Sequence, residues 1–64
     1  RARVAIVVAA EAPVREGPEV ALRPAFTLRE GAPVEVVDAR GDVLRVRLGS
    51  GLEGWVRARD LEEL

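Results

Sequence analysis

Apolar residues along this chain recur at every second position far more cleanly than at every third or fourth, a period that predicts strands and not helices. Val4, Ile6 and Val8 alternate with Ala5, Val7 and Ala9, so the first strand has a bulky and a smaller apolar face, and the bulky one is expected to point inward. From Ala10 to Pro24 the alternation gives way to Glu, Gly and Pro. Pro13, Gly17, Pro18 and Pro24 exclude a long regular element there, and a long irregular loop is expected. Phe26 and Leu28 alternate again before Arg29-Glu30-Gly31-Ala32-Pro33 turns the chain. Three inward sets follow: Val34 and Val36, then Leu44, Val46 and Leu48, then Leu52, Gly54 and Val56. The separators Arg40-Gly41-Asp42 and Gly49-Ser50-Gly51 make these two successive hairpins.

Side-chain chemistry sets the register, because a slip of one residue would turn every valine to the wrong face. With three residues in each loop, Val36 opposes Val46, Val34 opposes Leu48, and Val46 opposes Gly54. The outer face then pairs Glu35 with Arg47 and Arg47 with Glu53, and sets Arg45 opposite Trp55, a geometry that stacks a guanidinium on the indole. Beyond Val56, Arg57-Ala58-Arg59-Asp60 suits a single 3-10 turn, and Leu61 to Leu64 a last short strand. The expected architecture is all-β: a small five-stranded barrel with a long first loop, two tight hairpins and a short 3-10 turn before the last strand. Its expected core is Ile6, Val8, Leu28, Val34, Val36, Val46, Val56 and Leu61, with Phe26 among them. Gly54, inward and opposite Val46, marks a close backbone approach.

Composition narrows the chemistry sharply. The chain has 64 residues and no His, Cys, Met, Tyr, Lys, Asn or Gln, so imidazole bases, thiolates, Schiff-base lysines and soft metal ligands are missing. Catalysis, a cofactor and a metal are not expected. A calcium or magnesium loop would need Asp, Asn and Gly at tight spacing, and pairs such as Glu62-Glu63 or Glu16 and Glu19 lack it. Without cysteine the redox compartment stays open. The longest apolar run, Val4 to Ala10, falls far short of the roughly 20 residues that span a bilayer, so no direct membrane insertion is expected. The whole is expected to be one domain, residues 1–64, monomeric in isolation and excised from a longer protein.

The ordered pieces Val14-Arg15-Glu16-Gly17-Pro18, Thr27-Leu28-Arg29-Glu30-Gly31, Val34-Glu35-Val36, Leu44-Arg45-Val46-Arg47-Leu48 and Gly51-Leu52-Glu53-Gly54-Trp55-Val56, ahead of Leu61, resemble the bacterial Src homology 3 (SH3-like) domain over nearly the whole chain. The chain looks most like the version that follows tetratricopeptide repeats at the C-terminus of aerotolerance-operon (Bat-type) membrane-associated proteins. The resemblance implies a non-catalytic protein-interaction or spacer module in a larger envelope-associated bacterial protein, periplasmic or membrane-associated. The alternative it implies is a module for cell-wall peptide or peptidoglycan. Eukaryotic relatives grip proline-rich peptides through a Trp at the start of the middle strand and a Pro and Tyr after the Gly-aromatic-Val element. Val43, Arg57 and Asp60 stand at those positions, which removes the aromatic groove. Wall recognition also calls for exposed aromatics and polar amides or hydroxyls, and the chain offers Phe26, Trp55, Thr27 and Ser50.

The candidate interaction surface is Val14, Arg15 and Glu16 of the long loop with Val43, Arg45, Trp55 and Arg57 nearby. Trp55 has two readings: a binding anchor, or a cover for the outer sheet under Arg45, which the Gly-Trp-Val element favours. Between residues 40 and 59 five arginines face two acids, Asp42 and Glu53. That excess could attract an anionic partner, but with a net charge of −1 for the chain a solvated face is the simpler account, and nucleic-acid binding, which would show steep salt dependence, is not expected. Arg40-Gly41-Asp42 spells an integrin-binding tripeptide, and turn chemistry alone explains it. The expected partner is a protein or peptide, with peptidoglycan as the alternative.

Overall fold

In the computed structural model, which describes residues 1–64, the alternating segments become seven short strands. They are β1 (Arg3–Val7), β2 (Glu11–Val14), β3 (Phe26–Arg29), β4 (Pro33–Arg40), β5 (Val43–Arg47), β6 (Glu53–Arg57) and β7 (Leu61–Glu63), with a 3-10 turn at Ala58–Asp60 before β7. One antiparallel sheet runs β6-β5-β4-β1-β7, and β2 and β3 form a hairpin sheet of their own. The two are joined where the Arg15 N–H donates to the Trp55 carbonyl at 2.9 Å and the Trp55 N–H donates to the Arg15 carbonyl at 2.7 Å. This reciprocal pair covers the outer edge of β6, which would otherwise be open to other chains.

The register of the meander is the expected one: Val36 opposes Val46, Glu35 opposes Arg47, Val46 opposes Gly54 and Arg45 opposes Trp55. The first loop differs. Arg40 pairs with Val43, so the turn holds only Gly41 and Asp42, with Gly41 at φ 56°, a value glycine reaches without strain. A β-bulge between Val36 and Asp38 absorbs the extra residue, so the register beyond it is unchanged. The second loop keeps three residues, Gly49-Ser50-Gly51, between Leu48 and Leu52, whose backbones bond at 2.8 Å.

Ala5, Val7, Ala12, Val14, Val34, Val36, Val46 and Val56 form the buried cluster, with Phe26, Leu28, Leu44, Leu48 and Leu61 half-buried against it. No charged or polar side chain is buried. Two expectations are corrected. Ile6 and Val8 do not face the core; Ala5 and Val7 do, both at 0% exposure, while Val8 is 45% exposed. Cross-strand pairing decides this: Ala5 lies opposite Val34, and partners across a ladder share a face, so the inward valine of β4 carries Ala5 inward with it. A small residue there lets the valines of β4 and β5 meet across a narrow barrel. Val8→Ser is therefore expected to change stability by no more than about 0.5 kcal/mol in urea unfolding. A loss above about 1 kcal/mol would return Val8 to the core.

The second correction concerns the stretch from Ala10 to Pro24. Its first part is strand: Ala12 and Val14 are buried, opposite Leu28 and Phe26. Pro13 is tolerated because β2 pairs with β3 on one side only, and its missing N–H costs no bond in that ladder. The irregular segment begins at Arg15.

β7 is clasped to β1 by Arg3, whose guanidinium donates to Glu63 at 3.1 and 2.5 Å. The hydrogen bond from Arg3, opposed by desolvation and aided by the charge of Arg3, holds the Glu63 carboxyl below its ordinary range, and Glu63 in turn raises Arg3. A carboxyl whose folded pKa is lowered stabilises the fold above its unfolded value, and that contribution is lost as pH falls through the folded one. The protection of the Leu61–Leu64 amides against hydrogen exchange, taken relative to the intrinsic rate at each pH, should therefore fall on acidification below the ordinary carboxylate range, and a Glu63→Gln variant should show much less of this pH dependence. Equal acid sensitivity in both proteins would remove the clasp from the account. The raised Arg3 value acts only in strong alkali.

Candidate binding face

The outer face of β4, β5 and β6 is built by cross-strand pairing into three rows. Glu35, Arg47 and Glu53 make one row, Asp38, Arg45 and Trp55 the next, and Arg40, Val43 and Arg57 the one nearest the hairpin turn. In the first row Arg47 donates to Glu53 at 2.9 Å and to Glu35 at 3.4 Å, the expected charge ladder. These are exposed pairs, each worth about 0 to 1 kcal/mol, so they select the register more than they stabilise it.

The middle row carries the indole. Trp55 is only 8% exposed, because the guanidiniums of Arg40 and Arg45 lie over its ring with their carbons 5.7 and 5.9 Å from the centroid. No protein acceptor meets its indole N–H. Arg45 reaches toward Glu53, but Nε stands 3.7 Å from the carboxylate, beyond hydrogen-bonding distance. Arg45 Nε and Arg57 Nε are both removed from solvent without an acceptor in the protein.

The candidate residues of the sequence fall into three groups. Val14, at 1% exposure, belongs to the core, and Val43, at 7%, lies on the outer face between Arg40 and Arg57 but is covered there, so neither side chain presents much surface. Arg15, Arg45, Trp55 and Arg57 come together: Arg15 holds the Trp55 backbone from one side and donates from Nε to the Leu22 carbonyl at 2.8 Å, while Arg45 and Arg57 flank Trp55 on the sheet. Glu16 is exposed beyond them, in the wall of a hollow shared with Leu22, Arg23 and Pro24. Arg57 and Arg59 line a second hollow of about 230 Å³ with Val20 and Asp42.

Arg40 is the residue that sequence reasoning passed over. With a three-residue loop it sits at the tip; the bulge at Val37 draws it into the ladder and over the indole. The doublet Val36-Val37, two β-branched residues where alternation calls for one, is the signal that could have found it. No group of three or more metal-ligating side chains comes together anywhere in the fold.

Comparison with known proteins agrees with this architecture. The family model described as bacterial SH3 domain matches residues 8–63. A search of curated proteins finds no match. The solved structure of NlpC2 from Trichomonas vaginalis superimposes with a TM-score of 0.88 at 16% identity, covering 100% of this chain and 26% of the other. The chain thus spans about a quarter of that protein's length, and the likeness concerns the fold.

Proposed function

The chain belongs to the bacterial SH3 domain family, a family of non-catalytic binding modules, and from that premise we propose that it is a peptide-binding module of a larger envelope-associated bacterial protein, using the face around Trp55. The observation that carries this reading is the stacking of the Arg40 and Arg45 guanidiniums on the Trp55 ring, with Arg57 and the covered Val43 in the next row of the same face and Arg15 bonded to the Trp55 backbone at its edge. Guanidiniums stacked on a rigid aromatic are charged donors held in place before a ligand arrives, and arginine and tryptophan are the side chains at which binding energy concentrates at interfaces. The missing aromatic groove directs the reading away from polyproline ligands, and the scarcity of hydroxyl and amide side chains makes peptide a better match than glycan.

The test is selection of a random peptide library on the immobilised domain, with binders mapped by NMR. Selected peptides should shift the Trp55 indole N–H and the amides of Arg15, Arg45 and Arg57. In parallel, purified peptidoglycan fragments are titrated while the same signals and the amides of residues 11–24 are followed. A library without binders, together with saturable shifts from the wall fragments, would transfer the face to wall recognition.

A further inference from the structure

Charge is divided along the outer face of β4, β5 and β6. At the Glu35 end, acids and Arg47 neutralise one another. At the hairpin end Arg40 and Arg57 make no ion pair, Arg45 has only its long contact to Glu53, and Arg59 lies beside Arg57 in the hollow. Two guanidinium nitrogens at this end, Nε of Arg45 and of Arg57, are desolvated without an acceptor. Such donors leave hydrogen-bonding free energy unrealised until an acceptor arrives.

We infer that this end of the face docks an acidic peptide segment, whose carboxylates are taken by Arg40, Arg45 and Arg57. The inference rests on the peptide-binding reading above and names the chemistry of its partner. Guanidinium and carboxylate match in charge and in planar fork geometry, and stacking on Trp55 holds Arg40 and Arg45 in place before the ligand arrives, so less side-chain freedom is lost on binding. A nucleic acid fits less well for two reasons. Asp38 and Asp42 interrupt the positive surface, where a phosphate backbone needs an unbroken track, and the covered Trp55 ring leaves no platform on which a base could stack. A peptide with separate carboxylates tolerates both features.

The experiment titrates the isotope-labelled domain at neutral pH with hexaglutamate, capped at both ends, and with capped hexaglutamine as control. Hexaglutamate should produce saturable shifts at the Trp55 indole N–H and at the Nε–H signals of Arg45 and Arg57, and hexaglutamine none. Raising salt from about 0.05 to about 0.3 M shortens the screening length and should weaken binding several-fold. Arg40→Gln/Arg57→Gln should weaken it about tenfold or more, with Arg23→Gln in the long loop as an unaffected control. Should the double variant lose its dispersed spectrum, Arg40→Gln alone, at an exposed position, carries the test. Absence of saturable shifts, equal shifts from hexaglutamine, undiminished binding by the variants, or tighter binding of an oligothymidine than of hexaglutamate would overturn the inference. If hexaglutamate is silent while the library yields uncharged binders on Trp55, the acidic partner falls and the peptide reading stands; if both are silent, both fall.

Discussion

Gly54→Val is expected to cost the domain about 3 kcal/mol or more, enough to unfold much of it at room temperature. A Cβ at this position would fall inside the van der Waals envelope of Val14 Cγ1 and 3.1 Å from the Arg15 carbonyl oxygen. The penalty is steric and owes nothing to dihedral preference, since Gly54 does not adopt a positive φ. Here β6 meets β2, and the reciprocal Arg15 and Trp55 bonds hold the two backbones too close for a side chain between them. A domain of this size has a margin of about 3 to 10 kcal/mol in all, so one such clash takes a large share of it. Urea unfolding followed by Trp55 fluorescence measures the loss. Gly54→Ala should cost less, about 1 to 3 kcal/mol, and Val14→Ala in the same chain should recover part of that cost, because it removes the methyl that the new Cβ meets. A Gly54→Val protein as stable as the parent would contradict the close approach.

Val46→Ala should destabilise by about 2 kcal/mol. Val46 is 0% exposed at the centre of β5, opposite Val36 on one side and Gly54 on the other. Two methyls leave a packed site, losing about 0.8 kcal/mol each in transfer terms, and the ladder on both sides limits the collapse that would refill the space. Leu52→Ala is the comparison: at 54% exposure, in the loop before β6, it should change stability by less than about 0.5 kcal/mol. If Val46→Ala cost only a few tenths, Val46 would face water and the register of the whole meander would be in error.

The meander was legible because two faces had to agree at once. Val36, Val46 and Gly54 on one side and Glu35, Arg47 and Glu53 on the other admit a single pairing, and it is the one observed. The first strand offered no such cross-check. Both of its faces are apolar, so bulk was the only guide, and bulk chose Ile6 and Val8 where pairing with Val34 requires Ala5. β2 was hidden for another reason: Pro13 and its neighbours read as a loop, and only the partnership of Ala12 with Leu28 and Val14 with Phe26 makes the segment a strand. The candidate face was half legible. Arg45 over Trp55 followed from register, whereas the burial of Val14 and Val43 and the arrival of Arg40 depended on a bulge and on a contact between strands far apart in sequence.

By itself the sequence determined the strand class, the two tight hairpins, their register away from the first turn and its bulge, and the absence of the side chains that most catalysis needs. Those properties are local, resting on period, turn chemistry and residue type. The tertiary structure alone decided which face of β1 is interior, that β2 closes against β6, and that Arg40 joins Arg45 over the Trp55 ring while Arg15 bonds the Trp55 backbone. These are consequences of closing a sheet on itself, which brings together residues whose separation along the chain carries no trace of their proximity.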